Sequence, residues 1–167
     1  KDHLTLIKAL DLLKKEGIKF KFYLVGQGSN YNNIYNSIQK YKLTDVVKLA
    51  GFKEKAYEYI NSADLFILTS KYEGLPNVLL EAQYLGIPII SSDCPTGPKE
   101  ILMNGKAGTL YKTGNYVDLS NKIKFFIKNK FFFTKQVKFA KKNLNRFEDN
   151  IFQEKYNKIL IKNFNKK

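Results

Sequence analysis

The residues whose types and spacing can do chemistry are concentrated in Ser70–Glu81, SKYEGLPNVLLE, of a 167-residue chain. The stretch follows the apolar run Leu65–Thr69 (LFILT) and opens a segment with helical apolar spacing. Gly74 and Pro76 permit a tight turn that leaves backbone N–H groups pointing outward, and a helix starting at Asn77 adds its positive N-terminal end. Such a turn cradles a diphosphate without a basic side chain. Two carboxylates flank it: Glu73 before the turn and Glu81 inside the helix, with seven residues between them. In helix, that separation rises ~12 Å, so the two reach different parts of one ligand rather than share a proton. A carboxylate beside a diphosphate is repelled unless it accepts hydroxyl hydrogen bonds. Sugar hydroxyls suit both positions, a ribose on one side and a hexose on the other.

Other chemistry-bearing residues carry less. In Gly26-Gln27-Gly28 the residue three beyond Gly28 is Tyr31, so this is no dinucleotide fingerprint. Cys94 is the only cysteine, which excludes a disulfide framework and a Cys-rich zinc site; it reads as a small buried or turn residue. His3 is the only histidine, which excludes most His-based metal centres, and it reads as a surface or helix-start residue. Tyr72 is expected to pack beneath the loop rather than bind anything, and Lys99 and Glu100 either to form a structural pair or to touch the ligand, with structure favoured for Lys99.

The elements that must position the loop follow from apolar periodicity. Leu4, Ile7 and Leu10 with Ala9, Leu12 and Leu13 predict a helix that Gly17 stops. Phe20–Val25 (FKFYLV) predicts a strand, and Ser29 or Asn30 can cap a helix carrying Ile34 and Ile38 on one face. Val46–Ala50 is a short strand and Lys55–Asn61 a short helix. The continuous apolar run Leu65–Thr69 has the pattern of a strand buried in a parallel sheet. Asn77–Leu85 is a helix ended by Gly86, Ile87–Ser91 a strand, Pro98–Asn104 a short helix and Gly108–Tyr111 a strand. This alternation predicts a Rossmann-like, doubly wound parallel sheet of the α/β class. Ligands bind such sheets at the carboxyl ends of the strands, so the loops after Val25, Ala50, Thr69, Ser91 and Tyr111 should share one rim. Beyond Gly114 the pattern is helical: a helix through Val117–Ile127, a second over Phe131–Leu144 and a third over Phe147–Phe164. The expected organisation is one domain over 1–167, with 115–167 as its C-terminal helical segment.

Charge is uneven. With 29 Lys+Arg against 15 Asp+Glu, the formal net charge is +14. Residues 1–111 hold 14 basic and 11 acidic groups, whereas residues 112–167 hold 15 and 4. A basic segment can meet nucleic acid, an anionic membrane or phosphate ligands. A chain rich in Lys, Asn, Ile, Phe and Tyr also acquires such charge from an AT-rich genome. Only one of the 29 basic residues is Arg, Arg146, and no aromatic–basic RNA motif is present, which argues against a specific nucleic-acid partner. No apolar run approaches the ~20 residues of a membrane span. The low cysteine content fits a reducing, cytoplasmic setting.

The run EGLPNVLLEAQYLGIPIISSDCPTGPKEIL (residues 73–102), with its Glu73-(seven residues)-Glu81 spacing, closely resembles family 4 retaining glycosyltransferases of the GT-B fold. It is most similar to bacterial enzymes of capsule, O-antigen or lipid-linked-oligosaccharide synthesis that transfer hexosyl or N-acetylhexosaminyl groups. KDHLTLIKAL, YLVGQGSN, VVKLAGF and ADLFILTS resemble further landmarks of their C-terminal, donor-binding domain, and the match covers about residues 1–119. The resemblance implies retaining transfer from a nucleotide-sugar, usually UDP-linked, to a saccharide or polyprenyl-linked acceptor, with no obligatory metal and no cofactor. It assigns Glu73 to hydroxyls of the donor sugar near the reacting carbon, as the catalytic carboxylate, and Glu81 to the ribose hydroxyls. The backbone along Gly74, Leu75, Pro76, Asn77 and Val78 would hold the diphosphate through its N–H groups, Pro76 shaping the turn without donating, and Lys1 matches the family's phosphate-contacting lysine. Gly26 would let the backbone approach the donor, and the turn carrying Phe52 and Lys53 would lie along the base. It further implies that the domain's first strand, the Gly-Arg turn whose Arg accompanies Lys1, and an N-terminal acceptor domain lie outside these residues. The 167 residues alone are then expected not to transfer sugar. Peripheral contact with an anionic inner membrane face is compatible with this reading. The alternatives are a GT-B epimerase, in which the EGLPN loop is generally absent in this form, and a non-catalytic, basic, nucleic-acid-binding α/β domain.

Overall fold

The structure, a computed structural model, describes residues 1–147. The chain alternates as the periodicity predicts: α1 (His3–Lys15), β1 (Phe22–Val25), α2 (Tyr31–Lys40), β2 (Val47–Gly51), α3 (Ala56–Asn61), β3 (Phe66–Leu68), α4 (Asn77–Leu85), β4 (Ile89–Ser92), α5 (Pro98–Ile101), β5 (Thr109–Tyr111), α6 (Tyr116–Lys128) and α7 (Lys130–Lys142), then a 3-10 turn at Leu144–Phe147. Local chemistry sets the ends. Asp2 caps α1: its carboxylate accepts the Thr5 N–H at 3.2 Å and the Thr5 hydroxyl at 2.7 Å. Gly86 ends α4 at φ 77°, the left-handed region glycine enters without a Cβ penalty. Asn115 caps α6 by accepting the Asp118 N–H at 2.9 Å. Asn30 precedes α2, but neither it nor Ser29 supplies a side-chain cap. The predicted third C-terminal helix, Phe147–Phe164, lies outside the described residues apart from Phe147.

Every strand pair is parallel, and helices cover both faces. On β4, neighbouring Ile89 and Ile90 point to opposite sides. Ile90 joins a core with Leu6, Leu10, Leu119, Phe126 and Phe133, from α1, α6 and α7. Ile89 joins a second core with Ile60, Leu79 and Ile101, from α3, α4 and α5. Because all strands run the same way, the loops after them do share one rim, with the Ser70–Glu81 loop between β3 and β4.

The strands do not form one continuous sheet; β1 and β2 form one ladder and β3, β4 and β5 another. Phe22 donates its N–H to Val46 and Gly26 to Gly51, both toward β2. By alternation, the backbone groups of Tyr23 and Val25 face away from it. Phe66 donates to Pro88 beside β4, so the backbone groups of Leu65, Ile67 and Thr69 face away from β4. Between the two ladders lies a cavity of ≈ 890 Å³, reached by Leu6 and Leu10 of α1, Leu24 of β1, Ile67 of β3 and Ile123 of α6. Its presence explains why Phe66 and Ile67 are only half-buried, although their apolar run has the pattern of a fully covered strand. At its upper end the Asp2 N–H donates to the Thr69 carbonyl at 2.7 Å.

Candidate functional site

The loop after β3 is fixed from several sides. Ser70 is buried, and its hydroxyl donates to Oε1 of Glu73. The Ser92 hydroxyl, at the end of β4, donates to the Ser70 carbonyl at 2.7 Å. Lys1 Nζ pairs with the same Oε1 of Glu73. The Glu73 side chain is 16% exposed and that of Lys1 46%, so the cation keeps access to solvent on its far side. Burial by itself would raise the Glu73 carboxyl, but hydrogen bonds from Lys1 and Ser70 and the Lys1 charge outweigh it and hold the group below its usual value of 4.5. Glu73 is therefore a carboxylate near neutrality. The stability this pairing contributes is present above that usual value and is lost as pH falls through the lowered one.

Beyond Glu73 the turn opens outward. Gly74 and Leu75 are exposed, and Pro76 is buried with φ −74° and ψ 91° immediately before α4. No side chain caps α4, as none caps α2, α3, α5 or α7. The first N–H groups of a nine-residue helix thus keep no side-chain acceptor, and the helix dipole favours an anion there. Asn77 is exposed and Val78 half-buried. Glu81, one turn into α4, is exposed and lies at the mouth of the large cavity together with Val78, Thr69 and Lys1. The fold brings Lys1, Glu73, the Gly74–Val78 backbone and Glu81 onto one rim. Gly26 and the Phe52–Lys53 turn stand on the same rim at the carboxyl ends of β1 and β2, tied by the Gly26 N–H to the Gly51 carbonyl at 2.8 Å. Phe52 is 65% exposed and Lys53 is exposed, so neither is held against the Glu73 loop.

Two smaller expectations are corrected. Tyr72 does not pack beneath the loop; it is 80% exposed, because Ser70 and Glu73 turn inward and leave the intervening pair outside. Lys99 does not pair with Glu100 but stands 3.8 Å from Asp93, while the Glu100 carbonyl accepts from Arg146 at 3.3 Å. Cys94 is buried, as a small turn residue should be. Among the described residues, no group of three or more His, Cys, Asp or Glu could hold a metal ion, and no helix is long and apolar enough to cross a membrane. The residues that sequence reasoning missed are Ser70, Ser92, Thr96 and Gly97, which hold the loop. The Thr96-Gly97 pair between Pro95 and Pro98 was the available signal.

Residues 1–146 match the family described as glycosyl transferases group 1. The chain is similar to the amylovoran biosynthesis glycosyltransferase AmsD of Erwinia amylovora, 38% identical over 98 residues, or 57% of this chain and 27% of that protein. It is 32% identical over 120 residues to the lipopolysaccharide 1,6-galactosyltransferase of Escherichia coli K12, 68% of this chain and 33% of that one. The fold is that of a glycosyltransferase from Rickettsia africae, with TM-score 0.82 and 23% identity over 95% of this chain and 43% of the other. It is equally that of Anabaena Alr3699/HepE, solved in complex with UDP, at TM-score 0.79 and 23% identity over 93% and 44%. The chain spans about a quarter to a third of the length of such curated relatives.

Proposed function

We propose, from the premise that the chain belongs to the glycosyl transferases group 1 family, that it is the nucleotide-sugar-binding part of a retaining glycosyltransferase of cell-surface polysaccharide synthesis. The observation that carries this reading is the uncapped N-terminus of α4 standing beside Glu73, an ionised carboxylate held by Lys1 and Ser70. The open amides receive the donor diphosphate. Glu81, one turn further on, accepts the ribose hydroxyls, and Glu73 those of the sugar near its reacting carbon. UDP is the nucleotide favoured by the resemblance, and a structural relative is solved with it.

In this mechanism the acceptor hydroxyl attacks on the face from which the nucleoside diphosphate departs. Phosphate oxygens of the leaving group take the acceptor's proton, so no protein nucleophile is needed. Amides and the helix end stabilise charge where it develops on the leaving group. Lys1 exchanges its partner, leaving Glu73 for the diphosphate as the negative charge there grows. These groups meet the charge of the donor without a metal. The acceptor, a saccharide or polyprenyl-linked saccharide, is received by a second domain, and these 167 residues alone turn nothing over.

Isothermal titration tests the donor reading. Wild-type protein should bind UDP, and Glu81→Ala should weaken it by the worth of hydrogen bonds to a charged group, about 1.5–3 kcal/mol, or roughly ten- to hundredfold in Kd. Equal affinities would remove Glu81 from the ribose. Completion of the sheet belongs to the same reading: a further parallel strand, running directly into Lys1, fills the space between β1 and β3.

Peripheral membrane contact is favoured by one specific feature. At the α6–α7 corner Phe131 is 72% exposed, with Ile127 and Phe132 also exposed, among Lys128, Lys130 and Lys135. Aromatic groups flanked by lysines suit an anionic lipid surface, each lysine contributing about 1 kcal/mol. Sedimentation with phosphatidylserine vesicles should carry the protein down, and phosphatidylcholine vesicles should leave it in solution. Equal behaviour with both would end the membrane reading.

A further inference from the structure

The stretch Asp93–Glu100 is itself assigned to no ligand by the donor reading, yet it lies against the loop that the reading assigns to the diphosphate. Thr96 has φ 61° and Gly97 φ 73°. The left-handed region is rare for a β-branched residue. Its hydroxyl points back between two carbonyl acceptors, that of Glu73 across the contact and that of Pro95 beside it at 2.7 Å, and one proton serves both. Gly97 is buried, and a Cβ placed there would lie 2.6 Å from Cδ of Pro76 and closer still to the carbonyl oxygen of Gly74. The backbone at 96–97 is thus pressed against the backbone at 73–76, with one hydroxyl bonded across the contact and no room for a side chain.

We propose that Thr96 and Gly97 are positioning residues for nucleoside diphosphate binding. They set the backbone of Glu73–Pro76 so that the amides entering α4 point outward in the ligand-free protein. The Thr96 hydroxyl takes the Glu73 carbonyl, which fixes the peptide plane preceding Gly74. Gly97 lets the two loops meet without intervening atoms. Thr96 itself touches no ligand. This deepens the donor-binding reading and rests on it for the identity of the ligand, whereas the contact between the loops does not.

The test separates the two. Thr96→Val keeps the shape and branching and deletes the hydroxyl; Thr96→Ser keeps the hydroxyl. Amide hydrogen exchange at residues 73–78 is measured in the ligand-free proteins, and UDP affinity by calorimetry. Thr96→Val should exchange at least about tenfold faster there and bind UDP about tenfold more weakly, the loss of one hydrogen bond that orders the site. Thr96→Ser should match wild type in both. Gly97→Ala should show the larger loss if it folds, and Thr96→Val decides the matter if it does not. Unchanged exchange in Thr96→Val overturns the proposal, as does faster exchange with unchanged UDP affinity. If wild type itself binds no UDP, the donor reading falls and takes the named ligand with it, while the exchange measurements still show whether Thr96 holds the loop.

Discussion

Under the proposed function, replacing Glu73 with glutamine in a transfer-competent protein that carries these residues is expected to lower kcat/KM by roughly 10²–10³, the scale seen when one group aimed at developing charge is removed. UDP affinity should fall by less than about threefold or rise. The split follows from what Glu73 touches. Its Oε1 holds both Lys1 and Ser70, and the reading above places it against the sugar, not the nucleotide. Glutamine is neutral, so it loses the attraction that keeps Lys1 at the carboxylate and frees that cation for a diphosphate. Transfer assays on wild type and variant, with UDP calorimetry alongside, check both halves. Transfer within about threefold of wild type would remove Glu73 from the catalytic role. A matching collapse of UDP affinity would show that the variant lost the loop rather than the chemistry.

An N-terminal extension designed as a five- or six-residue apolar strand joined directly to Lys1 is expected to raise the thermal midpoint by roughly 10 °C. The space between β1 and β3 has backbone groups facing it from both sides and apolar side chains from both helical layers. The Asp2 N–H already pairs with the Thr69 carbonyl on that side, which aligns a strand entering Lys1 parallel to β3. Each buried aliphatic side chain contributes about 1.5–3 kcal/mol, and ordering each residue costs about 1–2 kcal/mol of backbone freedom. Five residues leave a surplus of a few kcal/mol, and each kcal/mol moves the midpoint of a chain this size by about 2–4 °C. Hydrogen exchange should slow at Val25 and Ile67, whose amides face the space. An extension with alternate positions changed to aspartate should do neither. A gain of stability carried by a dimer, read from scattering mass, would instead show the exposed edges pairing between copies.

Much of this was legible in the sequence because it depends on neighbours in the chain. The strand–helix alternation is a matter of local periodicity, and α4 begins at Asn77 and ends before Gly86 as its residues prescribe. Strand ends were less legible. Phe20–Val25 contracts to Phe22–Val25, since pairing with β2 and not apolarity decides where a ladder begins. The two ladders in place of one sheet were not legible either, because Leu65–Thr69 has the composition of a covered strand whether or not a neighbour lies beside it.

The candidate site divides along the same line. From sequence alone came the two glutamates, the Gly-Leu-Pro turn and the helix behind it, because a turn and a helix end are made by consecutive residues. Only the tertiary structure decided that Lys1 lies on Glu73, 72 residues away, that Ser92 at the end of β4 and Thr96 in the loop after it reach the Ser70 and Glu73 carbonyls, and that Gly97 must be glycine against Gly74. Those contacts join segments far apart in the chain, and their geometry depends on how the strands are stacked, which no local pattern of residues records.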